Sequence, residues 1–237
     1  MPMWISRFLV DLSLHKEALR RIFEIEPAPR YQLLYLQTDQ HEQANVGPLL
    51  IDPCSPVAHR HYKEWVQQGL AIELQGQQRF ESVAEHLKTL TMVERERAPL
   101  ALFRYADPRL YAGLESTLNV HDLRRLLGPN DRMRSVVSGQ TWTLQQDSME
   151  ADSYTPASAP FRLTRDHLQG IDEWRSQTML QALAEHYALP VEHIIGWYRE
   201  IRTKSHNNEQ ACLEHCHRLA RNARNSVTSA HLEEITS

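Results

Sequence analysis

Asp107 and Arg109, separated by Pro108, place a carboxylate and a guanidinium at the end of an apolar run. Open α/β sheets often hold ligands at strand ends, so this pair, joined by a histidine, could serve a small hydrolase or transferase. The same aspartate also fits a helix N-cap, with proline at the next position losing no hydrogen bond. The cap accounts for the aspartate without any substrate. Arg104 alternates away from Phe103 and Tyr105, so it either leaves the core or pairs with a carboxylate, and a structural ion pair is the better fit. Cys212, His215, Cys216 and His217 are the sharpest metal candidates among thirteen histidines and three cysteines. Positions 212 and 216 lie one turn apart, and two thiolates there could share an ion with His206. Buried cysteines at that spacing more often act as small hydrophobes, and the reading takes neither a metal nor another cofactor. Cys54, after Asp52-Pro53, stands where a thiol nucleophile could, but nothing selects its base.

Glycine is scarce, at 8 of 237 residues, and no GxGxxG, GxxxxGK[ST] or GxSxG occurs. A net charge of −4, from 26 basic and 30 acidic residues, argues against a general nucleic-acid binder. With 41% hydrophobic residues and no apolar run of membrane-spanning length, the chain reads as soluble, globular and cytoplasmic. The odd, small number of cysteines agrees with a reducing compartment.

These side chains need elements to hold them, and residues 99–130 organise the rest. Leu100, Leu102, Phe103 and Tyr105 read as a buried strand. Asp107-Pro108 opens a helix with Leu110, Leu114 and Leu118 on one face. Asn119 caps a second helix carrying Leu123, Leu126 and Leu127, and Gly128-Pro129 ends it. Upstream, strands are expected over 4–12, 31–37, 49–51 and 70–74, with helices over 15–25, 58–70 and 80–90 between them; the charged run 94–97 closes the last. This alternation predicts an α/β fold, a mixed β-sheet flanked by helices in an N-terminal lobe over 1–145. Ser138-Gly139 reads as the turn of a hairpin added at one edge. Residues 146–160 are polar and rich in small residues and proline, and read as a linker. Over 161–237 no strand pattern is expected. Three helices, 165–187, 191–204 and 208–224, make a smaller all-helical lobe, and the residues from 225 on thin out in apolar content.

Phe103-Arg104-Tyr105-x-Asp107-Pro108-Arg109 after an apolar strand, with Leu126-Leu127-Gly128-Pro129 downstream, resembles the signature of the type VI secretion effector-adaptor family of Tap/Tec type. Gly47-Pro48-Leu49-Leu50-Ile51 and Phe8-Leu9-Val10-Asp11 are similar to that family's other landmarks, in the right order. The resemblance implies a non-catalytic chaperone that binds the N-terminal or linker segment of a secreted toxin effector and helps load it on the VgrG spike protein. It makes Gly47, Pro48, Phe103, Arg104, Tyr105, Asp107, Pro108, Arg109, Gly128 and Pro129 structural or partner-binding residues. In the helical lobe, Trp174 and Trp197 are the aromatics least explained by core stripes, and Arg218, Arg221 and Arg224 form a basic ridge; Trp174, Trp197, Arg218 and Arg221 are the candidates there for partner contact.

Overall fold

A computed structural model describes residues 5–146, 159–204 and 209–235. The chain is α/β: a sheet-bearing N-terminal region is followed by helices. It divides into two compact units, Met1–Asp172 and Glu173–Ser237.

The first unit is built on a six-stranded sheet. Its strands in chain order are β1 (Ile5–Asp11), β2 (Arg30–Leu33), β3 (Pro48–Asp52), β4 (Ile72–Gly76), β7 (Arg132–Val137) and β8 (Gln140–Gln145), arranged in space as β2-β3-β1-β4-β7-β8. Every neighbouring pair is antiparallel. The strand and helix alternation is nonetheless a true crossover signal. β3 and β4 both run opposite to β1, hence parallel to each other, and α2 (Pro56–Gln67) connects them. β1 occupies the space between, which converts each parallel crossover into antiparallel neighbours, a split βαβ arrangement. α1 (Ala18–Ile25) links β1 to β2 in the same way around β3.

Both faces of this sheet are covered. Phe8, Val10, Leu49 and Ile51 pack with Ala58, Tyr62, Trp65 and Ile22 of α1 and α2. Leu9, Leu50, Ile72 and Leu74 point the other way, into a core with Val83 and Leu87 of α3 (Phe80–Lys88), Tyr111 and Leu114 of α4 (Pro108–Leu114), and Leu126 and Leu127 of α5 (Val120–Leu127). The period-two alternation of a strand buried on both sides produces this division. Ser138 and Gly139 form the β7–β8 turn at φ +52° and +75°, and β8 is the edge strand of the expected hairpin.

Several readings of the sequence change here. Residues 34–37 continue β2 not as a strand but as a 3-10 turn, because Leu34 and Tyr35 are consecutive and both buried, which a strand cannot do on one face. Phe23 of α1 is 49% exposed and packs edge-on against Tyr31. The charged run 94–97 does not end a helix: β5 (Met92–Arg95) and β6 (Ala98–Leu102) form a hairpin there, turning at Arg97 with φ +55°. β6 is also not buried, with Leu100 54% and Leu102 37% exposed; the buried aromatics Phe103 and Tyr105 lie in the segment after it. Finally, Phe161–Leu163 is a strand, β9, which pairs parallel with β5 and completes a second sheet of order β6-β5-β9. Three residues are too short to show a period, and Phe161 and Leu163 reveal themselves only by packing into the first unit's core.

The second unit contains the remainder of α6 (Arg165–Tyr187), together with α7 (Val191–Lys204) and α8 (Glu209–Ile235). Its core joins Leu180, Leu183, Tyr187, Ile194, Tyr198, Leu213 and Ala220. Cys212 and Cys216 are members of that core.

Candidate functional site

The landmarks of the first unit, distant in sequence, meet at the end of β1. A cleft of about 200 Å³ is lined by Asp11, Ser13, Tyr35, Gln43, Val46, Gly47, Pro48, Leu102, Arg104 and Ala106. β1 supplies Asp11 at its last position, opposite Pro48 in the register with β3. The Leu12 amide donates to the Gly47 carbonyl (3.1 Å), which holds the two segments together beyond the ladder.

Asp11 is the centre of the charge arrangement. Its side chain is 6% exposed and accepts from the Ser13 amide (2.9 Å) and hydroxyl (2.7 Å), and from Arg104 Nε (3.2 Å) and Nη2 (2.7 Å). Arg104 Nη2 also donates to the Ser13 hydroxyl at 2.5 Å. The expected ion pair is therefore present, and its partner is the aspartate of the Phe8-Leu9-Val10-Asp11 landmark. With the guanidinium 47% exposed, such a pair stabilises the fold by about 1 kcal/mol or less; its larger effect is to fix where the arginine lies.

Tyr35 forms the floor. Burial, with Asp11 adding to it, pushes its phenol up to about 12, so it stays protonated. A Cβ on Gly47 would sit 2.4 Å from the Tyr35 ring, so this residue is glycine because the ring lies against its backbone. The ring also meets Tyr105 edge-on at 6.5 Å.

Asp107 does what its sequence context predicts. It caps α4, accepting from the Arg109 amide (3.0 Å), and it receives Arg109 Nε (2.9 Å) and Nη2 (2.8 Å) as a two-pronged pair. Neither residue lines the cleft. His15 lies within electrostatic reach of both ion pairs; burial lowers its pKa, Asp11 and Asp107 oppose that, and Arg109 adds to it. Asp11 and Asp107 are thus each matched to a guanidinium.

Gly128-Pro129 is elsewhere in the first unit. Gly128 stands at φ +57° and ψ −121°, with the His86 ring packed against it. His86 is fully buried, and because a carbonyl only accepts, its Nε2 carries the hydrogen donated to Leu126 O at 3.1 Å. Burial lowers its pKa from 6.5 to about 4. The folded protein therefore holds it neutral where the unfolded chain would protonate it. Below pH 6.5 stability is expected to fall by up to about 1.4 kcal/mol per pH unit, levelling near pH 4. Urea unfolding at a series of pH values checks this, and the slope between pH 6 and 4.5 should be halved or better in His86→Leu.

In the second unit Trp197 is half-buried on the helical core and Trp174 is partly exposed. Arg218 and Arg221 are exposed on α8. Cys212 and Cys216 are 1% and 0% exposed, and burial pushes the Cys216 thiol up to about 11, which suits packing. His206 lies outside the described residues. Among the described residues no three His, Cys, Asp or Glu side chains are grouped as an ion would require.

Residues 8–125 match the family model described as a domain of unknown function (DUF4123). The DUF4123 stretch runs from β1 into α5, so it contains the whole cleft, both ion pairs and the α4 cap, and stops short of Gly128. No curated protein and no solved structure matches the chain. No helix among the described residues is long and apolar enough to cross a membrane. Sequence reasoning missed Ser13, Tyr35, Gln43, Val46, Leu102 and Ala106 as members of the site. Tyr35 was hidden by the misread strand; the glycine at 47 was the available signal, since a loop glycine before a strand implies close approach.

Proposed function

We propose that this chain is a non-catalytic, cytoplasmic adaptor that binds a secreted toxin effector of a type VI apparatus and helps load it on the VgrG spike protein. The observation that carries this reading is the convergence of three separately encoded landmarks, Asp11, Gly47-Pro48 and Arg104, on one cleft in the matched DUF4123 stretch. The groups there suit holding rather than turnover. Asp11 is engaged by Arg104 and Ser13, and Tyr35 keeps its proton, so the cleft offers fixed polar groups beside the exposed apolar side chains Val46 and Leu102. Apolar walls with a few oriented polar groups are what a bound segment of another protein uses for affinity and register. Asp107 and Arg109 support the site by capping α4 and pairing with each other.

Co-expression with whichever toxin gene lies beside this one, followed by affinity purification, tests the reading. The expected result is a stoichiometric complex that also captures the spike protein. A chain that retains neither partner would remove the proposal, and turnover of a small molecule abolished by Asp107→Asn would replace it with the enzyme reading.

A further inference from the structure

Among the described residues the three-stranded sheet has an open edge. Among the described residues β6 has β5 as its only strand neighbour. The Phe103 amide donates to the Thr91 carbonyl (2.8 Å), so Phe103 turns its backbone toward the β5 side, and Leu102, one residue before it and opposite Met92, alternates to a non-hydrogen-bonded position. The N–H and C=O of Leu102 therefore point away from β5. Side chains on this edge are apolar and exposed: Leu100 at 54%, Leu102 at 37%, with Pro99 and Ala98 exposed beside them. Soluble proteins usually protect such an edge with charge, proline or a cover; here Pro99 removes a donor near the start of β6 and leaves the Leu102 end open. Leu102 and Arg104 then run into the cleft described above, where Val46 is 41% exposed. Asp11 and Ser13 take up Nε and Nη2 of Arg104, and its Nη1 amino group has no partner among the described residues.

The geometry points to β6 as a strand-addition site: an extended segment of the partner protein pairs with the open edge at Leu102, sets apolar side chains against Leu100 and Val46, and directs a carboxylate to Arg104 Nη1. An open strand edge recognises extended backbone, because only that supplies donors and acceptors at the matching repeat. The unpaired Nη1 adds charge complementarity at one end. This inference rests on the adaptor reading and specifies how that partner is held.

The test is amide hydrogen exchange on the full chain, free and saturated with the toxin effector that the co-expression above captures or with short overlapping peptides tiling it. Exchange at the Leu102 amide should slow by about tenfold or more in the complex. Leu100→Lys, at an exposed position and with an unchanged unfolding midpoint, should weaken binding by about tenfold. Changing the acidic residue of the bound peptide to its amide should weaken it as well. A stoichiometric complex with unchanged exchange across β6 overturns the inference and leaves the adaptor reading standing; absence of any complex overturns the adaptor reading itself. A dimer of this chain with Leu102 protected before any partner is added assigns the edge to a second copy and also overturns it.

Discussion

Replacing Glu73 by alanine is expected to destabilise the first unit by about 2–4 kcal/mol, because it strands the partly buried Arg134 guanidinium, 26% exposed, and two polar donors at once. Glu73 is on β4 at the middle of the sheet, with a side chain 0% exposed. Its Oε1 accepts from the Ser6 hydroxyl (2.7 Å) and Gln75 Nε2 (2.8 Å), and its Oε2 accepts from Arg134 Nε (2.7 Å). Burial alone would raise the carboxyl's pKa, but the hydrogen bonds from Ser6, Gln75 and Arg134 together outweigh it and hold the group below its ordinary value. Its stabilising effect is therefore complete above the carboxylate's unfolded pKa and is lost as pH falls through the folded one. Glu73→Gln keeps the shape and two acceptor contacts and should cost less, about 1–3 kcal/mol. Chemical denaturation of the three proteins at neutral pH decides this; a Glu73→Ala loss under about 1 kcal/mol would mean that the sheet relaxes around the gap.

Gly128→Ala is expected to cost about 2–4 kcal/mol, from two separable causes. The backbone at φ +57° and ψ −121° lies where an L side chain is strained, and the new Cβ would fall 2.3 Å from the His86 ring. Gly139 separates these causes: its φ is +75° but nothing lies within 4 Å of where an alanine methyl would stand, so Gly139→Ala carries strain alone and should cost about 1 kcal/mol. Calorimetric melting should show Gly128→Ala several degrees below Gly139→Ala. In the double variant with His86→Ala, part of the Gly128→Ala loss should return, since the ring it strikes is gone. Equal melting temperatures for the two alanine variants would contradict the packing argument.

Local chemistry was the legible part of this sequence. Asp107-Pro108 and Asn119 announce helix starts because the cap is made by neighbours in the chain, and the structure shows both, the second as a full capping box with Asp122. Ser138-Gly139 announces its turn for the same reason. What the sequence hides is which strand lies between which. The alternation that signals crossovers is identical whether β3 and β4 are neighbours or are separated by β1, because the choice is made by β1 from a distance. β9 and the exposure of β6 were hidden likewise: apolar residues at 100 and 102 read as core until the fold leaves them 54% and 37% exposed among the described residues. Asp11 was legible as a landmark, but its partner, 93 residues away, was not. The cleft exists only through such long-range pairings.

Titration calorimetry of the purified chain with the toxin effector that the proposed co-expression captures, wild type against Val46→Arg, tests the central claim most directly. Val46 is exposed on the cleft wall, so the substitution should leave the melting temperature unchanged while filling the cleft and weakening association by about tenfold or more. Wild-type affinity in the Val46→Arg protein would contradict the account, because the partner would then be held at some other surface than the one on which Asp11, Gly47-Pro48 and Arg104 converge.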